Sequence, residues 1–154
     1  MRLKDKEISD KSSIEAIIEQ AKVCKLGMVN GNMPYIVPLC FGYQDNALFF
    51  HSALKGQKID CLHSNPNVCF EFDLIAEPKE SDEPCSWSMR YQSVIGFGRA
   101  VFVEDSDEKY KALNIIMAQY PNKKFQFPDN KVKATAVFKV EIESMTGKQS
   151  HVPG

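Results

Sequence analysis

The sequence predicts a mainly antiparallel β fold with flanking helices, closed or partly closed into a barrel. Three observations predict it. Short segments alternate apolar and polar residues, as half-buried strands do. Tight-turn signals separate them, and Asn30-Gly31 is the strongest because both residues tolerate positive φ. Helical segments number only two or three, too few to place a crossover helix after each strand of a parallel sheet.

Taken in order, the first element is a helix from about Ser13 to Val23. Ser12 and Glu15 stand at capping-box spacing, and Ile14, Ile17, Ile18 and Ala21 form one apolar face that would lie across a sheet. A strand at Cys24 to Asn30 turns at Asn30-Gly31 into a return strand from Met33 to Tyr43. Pro34 and Pro38 mark that strand as an edge, because proline cannot donate to a ladder. Gln44-Asp45-Asn46 turns again into a third strand, Ala47 to Ser52, which would complete a three-stranded meander. A short helix from Lys55 to His63 ends before Asn65-Pro66. In the fourth strand, Val68 to Leu74, the residues Val68, Phe70 and Phe72 share one face and Cys69, Glu71 and Asp73 the other. An acidic loop, Glu77 to Pro84, leads to a long strand from Trp87 to Val103, bent at Gly96 and Gly98. A helix then runs from Glu104 to about Tyr120, stopped by Pro121. The sixth strand, Ala134 to Ile142, has Ala136, Phe138, Val140 and Ile142 on one face.

The 154 residues fit a single domain spanning 1–154. With 44% hydrophobic and 25% charged residues, the composition is globular and excludes disorder. A formal net charge of -1 without a basic run argues against nucleic-acid binding. No apolar stretch reaches the roughly 18 to 20 residues of a membrane helix, and the N-terminus lacks a signal-peptide core, so a cytoplasmic protein with no membrane partner is expected. Five cysteines at unpaired spacings, none in a C-x-x-C motif, point to mostly buried, reduced thiols and to no metal site.

Three segments can carry chemistry. In His51-Ser52-Ala53-Leu54-Lys55-Gly56-Gln57-Lys58 a strand ends, a glycine loop follows and a helix begins. Free N–H groups at a helix start favour an anion. Lys55 and Lys58 add positive charge, Ser52 adds a hydroxyl, and Gly56 permits close approach, which together make a phosphate cradle. The alternative is a loop with two solvated lysines. His51, ending an aromatic strand, fits either an acid/base or cofactor-contact role or a hydrogen-bonded structural one. Gly96-x-Gly98 lies inside a strand and is no dinucleotide fingerprint; it marks a bulge or a close approach. Trp87, Tyr91 and Phe97 fit core or interface positions.

Together these segments resemble the nitroimidazole-resistance branch of the pyridoxamine 5′-phosphate oxidase-like flavoproteins. The resemblance covers Leu3 to Ser150. Its matching pieces are Val37 to Tyr43, Leu48 to Ala53, Lys58 through Asn65-Pro66 to Phe70, Tyr91 to Ala100, and Met145 to Lys148. It implies a six-stranded split β-barrel homodimer with FMN in the groove between subunits. It further implies that the backbone of Val37, Pro38, Leu39 and Cys40 runs beside the isoalloxazine ring. His51, Ser52, Ala53 and Lys58 would face the ribityl phosphate, and Ser93 and Val94 would border the flavin. An FMN-dependent reductase of small electrophiles such as nitroaromatics follows, with His51 as the catalytic candidate. Two departures stand out. No basic C-terminal substrate-binding segment follows the last strand, which argues against vitamin B6 oxidation. Gln57 precedes Lys58 where those oxidases place arginine, leaving Lys55 or Arg90 as substitutes. The rival functions are a haem-binding or haem-degrading split barrel, with His51 as axial ligand, and a non-enzymatic flavin carrier or redox sensor.

Overall fold

The computed structural model describes residues 3–120 and 127–152. Its eight strands are β1 (Glu7–Ile8), β2 (Cys24–Asn30), β3 (Met33–Leu39), β4 (Gly42–Gln44), β5 (Ala47–Ala53), β6 (Asn67–Lys79), β7 (Ser88–Val103) and β8 (Thr135–Ser150). The helices are α1 (Lys11–Gln20), α2 (Gln57–Ser64), α3 (Ser106–Ala118) and α4 (Asp129–Lys133). One antiparallel sheet runs β3-β2-β6-β7-β8-β5-β4, with β1 beside β8. It curls around an apolar core without closing, because its edges β3 and β4 do not pair with each other.

The core follows from the alternation in the sequence. Phe50, Phe70, Phe72 and Phe138 are fully buried on the inner faces of β5, β6 and β8, and the burial of each contributes about 1.5–3 kcal/mol. Phe70 lies so close to β7 that a Cβ on Gly96 would sit 2.1 Å from its ring. Gly98 follows a register shift against β8. The bulge and the close approach expected from Gly96-x-Gly98 are therefore both present. Ile14, Ile17 and Ile18 turn the apolar face of α1 onto the same core.

Four expectations need correction. The meander does not form. The segment Met33 to Tyr43 breaks at Cys40-Phe41, so that β3 pairs with β2 and β4 with β5 at opposite ends of the sheet. Phe41 causes the break: its side chain is fully buried and packs 4.8 Å from Phe72, which turns the backbone out of the strand. The cap of α1 is Asp10, whose carboxylate accepts from the Ser13 N–H at 3.0 Å, and not Ser12. Three of the five cysteines (Cys40, Cys69 and Cys85) are exposed, because they fall in a linker, on the outer face of β6 and in a surface turn. The last strand continues past Ile142 to Ser150, held by pairing with β7 where the side-chain alternation has faded.

Other boundaries moved less. The strand of β6 extends through the start of the acidic segment to Lys79. Helix α3 begins at Ser106, two residues later than expected, capped by Asp105. Pro121, expected to stop it, lies outside the described residues. The two-residue β1 and the five-residue α4 had no sequence expectation. Among the described residues, no helix is long and apolar enough to cross a membrane.

Candidate functional site

The break at Cys40-Phe41 creates the site. Up to Leu39 the chain pairs with β2; from Gly42 it pairs with β5, with Gly42 opposite Phe49. Consecutive strands β3 and β4 therefore go to opposite edges of the sheet, and the barrel stays split between those edges. Strand β3 has a partner on one side only, so its outer edge presents unpaired backbone groups to that split. Val37 and Leu39 turn their side chains toward the core, whereas Pro38 and Cys40 are exposed.

Across the split, β5 delivers His51, Ser52 and Ala53, opposite Val137, Ala136 and Thr135 of β8. Because Leu48 and Phe50 point inward, His51 projects from the outer face of β5. Leu54 to Gly56 then lead into α2, which crosses from the end of β5 to pack on β2 through its buried Ile59, Cys61 and Leu62. Gly56 stands before the helix at φ 147° and ψ 173°, a conformation open essentially to glycine alone. No side chain caps α2, so its first N–H groups remain available.

Electrostatics at this end favour an anion. Burial holds the half-buried Lys58 ammonium below the usual lysine range. His51 is also pushed below its ordinary value, first by burial and then by the Lys58 charge, which places the two groups near each other. No carboxylate contributes to either shift. The uncapped start of α2 thus stands beside Lys58 and His51, with Asp60 the one acidic residue in its first turn.

Ser93 and Val94 lie elsewhere. They sit in mid-β7, three strands from β3 in the order β3-β2-β6-β7, or roughly 14 Å at the usual strand spacing. Val94 is fully buried in the core; Ser93 is buried on the outer face opposite Asp73. Val37 to Cys40 lie at and just past the end of β3, His51 to Ala53 at the end of β5 and Lys58 at the start of α2, whereas Ser93 and Val94 lie in mid-β7. Lys55 is exposed in the loop before Gly56. Arg90 stands opposite Glu77 in the β6–β7 hairpin.

Two arrangements were not visible in the sequence. On the outer face, Lys25 lies 2.6 Å from Asp73 and 3.7 Å from Glu71, between Pro38 on β3 and Ile95 on β7. Burial and Asp73 push the Glu71 carboxyl up to about 7, while Lys25 holds Asp73 low. Near the break itself, the Tyr120 hydroxyl accepts from the Phe41 N–H at 3.1 Å and donates to the Lys22 carbonyl at 2.8 Å. Alternation hints that Glu71 and Asp73 share a polar face, but nothing local signals the tyrosine, 79 residues from its partner Phe41.

Comparisons with known proteins show the fold and the family. The fold matches the flavocytochrome Anf3 of Azotobacter vinelandii (TM-score 0.84, 18% identity, 96% of this chain and 70% of that one). It also matches an FAD- and haem-binding protein of Mycobacterium smegmatis (TM-score 0.86, 16% identity, 96% and 74%). Among curated proteins, an uncharacterized protein of Rhizobium meliloti (strain 1021) is 26% identical over 73 residues, 47% of this chain, which thereby spans about half (48%) of that relative. A candidate 5-nitroimidazole antibiotic resistance protein of Bacteroides thetaiotaomicron is 41% identical, with a TM-score of 0.83, over 92% of this chain and 85% of that one. Residues 10–149 match the family described as pyridoxamine 5′-phosphate oxidase. With a split antiparallel barrel, a family match over most of its length and a 41% identical relative, the chain belongs to the pyridoxamine 5′-phosphate oxidase-like family.

Proposed function

We propose that the split binds FMN and that the protein is an oxidoreductase acting on small electrophiles, nitroaromatic compounds among them. The observation that carries this reading is the pairing of Lys58 and His51 at the uncapped start of α2, where no carboxylate contributes to the shift of either group, although Asp60 stands in the same first turn. A terminal phosphate would supply a counter-charge to these groups. The free edge of β3 from Val37 to Cys40 supplies backbone hydrogen-bonding groups for a flat, polar-edged ring. Bound flavin would supply the electron chemistry. The chain's own residues would do the rest. Lys58 and the α2 N–H groups would hold the phosphate. The β3 edge orients the ring, and the neutral His51 imidazole stands ready to take up or pass a proton at its free nitrogen.

A second copy of the chain completes this proposal. Met33, Ile36, Ile95 and Phe97 are large apolar residues about half or more exposed, from 49% to 66%, on β3 and β7. Ile36 and Phe97 belong to one cross-strand row, through Gly27 and Cys69, on the outer face that also carries Ser93. A homodimer through this face would cover the apolar row. It would also carry one copy's Ser93 toward the other's split.

The test is the visible spectrum and turnover of the purified protein. Uptake of FMN with the two flavin absorption bands, a light-scattering mass twice that of the chain, and nitroimidazole reduction by reduced nicotinamide are the expected results. A Soret band would favour the haem reading instead. Bound flavin without turnover would leave a carrier or sensor.

A further inference from the structure

We infer that Tyr120 is a positioning residue for this site: it clamps the Cys40-Phe41 peptide from which β3 and β4 diverge, and so sets the position of the strand edge that meets the flavin. The inference rests on the flavin reading above. The Phe41 side chain is anchored in the core against Phe72, but its backbone lies between strands and has no ladder partner. The partner of its N–H is the Tyr120 hydroxyl at 3.1 Å. That hydroxyl has one proton to give, and the Lys22 carbonyl accepts it at 2.8 Å. Burial, with the adjacent Cys40 thiol, pushes the phenol up to about 12, so it stays protonated and keeps both bonds at neutral pH.

The neighbouring residue does a different job. Gln119 Nε2 reaches the carbonyls of Ile18, Glu19 and Ala21 at 2.9, 3.1 and 3.0 Å and closes the end of α1. Gln119 therefore ties α3 to α1 without touching the break, whereas Tyr120 ties the break to both. Two adjacent residues at the end of α3 thus separate scaffold from site.

The experiment compares the wild-type protein with Tyr120→Phe and Gln119→Ala. Tyr120→Phe keeps the ring and removes only the hydroxyl. It should weaken FMN binding roughly five- to tenfold, the loss expected for one backbone-positioning bond. It should also alter the visible circular dichroism and midpoint potential of the bound flavin, and raise exchange of the Phe41 amide in the apoprotein. Gln119→Ala should lower the apoprotein Tm yet leave flavin affinity, dichroism and potential unchanged. Equal flavin effects in both variants would make Tyr120 a scaffold residue and overturn the inference. So would a Tyr120→Phe protein whose flavin binds with wild-type affinity, dichroism and potential. A wild-type protein that takes up no FMN would instead overturn the site reading, and this inference with it.

Discussion

Two lysines mark two regions with opposite electrostatics. Lys25, on the outer face of β2, has Asp73 and Glu71 beside it and is held above the usual lysine range. Lys58, in the first turn of α2, has no carboxylate contributing and is held below it. Lys25 already has its counter-charge from within the chain, so its region is a structural ion cluster. Lys58 has burial without a partner, and beside it His51 is depressed in the same direction. A half-buried cation left unpartnered gains from an external anion what Lys25 gains internally. The difference sets a cation whose counter-charge lies within the chain apart from one to whose shift no carboxylate contributes.

The largest effect should come from breaking the Lys58 side. Lys58→Ala should weaken FMN binding by about 1.5 to 3 kcal/mol, roughly 10- to 150-fold, as read by quenching of flavin fluorescence. Gly56→Ala should come next. A Cβ at φ 147° meets no neighbour but strains the backbone, costing about 2 kcal/mol and displacing the α2 start. Thermal unfolding of the apoprotein measures the first consequence and FMN affinity the second. Lys25→Ala is the counterpart of the Lys58 change. Its pair is partly exposed, with the lysine side chain 45% accessible, so stability should fall by about 0 to 1 kcal/mol and FMN affinity should stay unchanged.

The smallest effects are the pH slopes, and they run in opposite directions. His51 has a folded-state pKa below 6.5, so its contribution to stability is present above 6.5 and lost as pH falls through the folded value. His51→Gln should flatten the fall of Tm on that acid side. Glu71 is raised from 4.5 to about 7, so its contribution is present below 4.5 and lost as pH rises through about 7. Glu71→Gln should remove the loss of Tm between those values. Matching slopes in the two variants would erase the contrast between the regions.

What the sequence revealed follows the same division. The cradle from His51 to Lys58 is contiguous, so strand end, glycine and helix start could be read in one short stretch. The strands of the core were legible because Val68, Phe70 and Phe72, like Ala136, Phe138 and Val140, recur at every second position. The split was not legible. It depends on Phe41 turning into the core beside Phe72, and a proline-bearing run from Met33 to Tyr43 reads as one strand until that packing is known. The Lys25 cluster joins residues 48 positions apart, and the Tyr120 clamp joins residues 79 apart, with no local pattern to announce either. Beyond Ile142, β8 is held by backbone pairing to β7, which leaves little trace in side-chain alternation.

The central claim, that the split receives a flavin through its phosphate, is tested most directly by titrating the wild-type protein with FMN and with riboflavin under one set of conditions. The account predicts quenching of flavin fluorescence by both, with FMN the tighter ligand and its advantage abolished in Lys58→Ala. Equal affinity for the two flavins in the wild-type protein, or an FMN preference that survives Lys58→Ala, would contradict it.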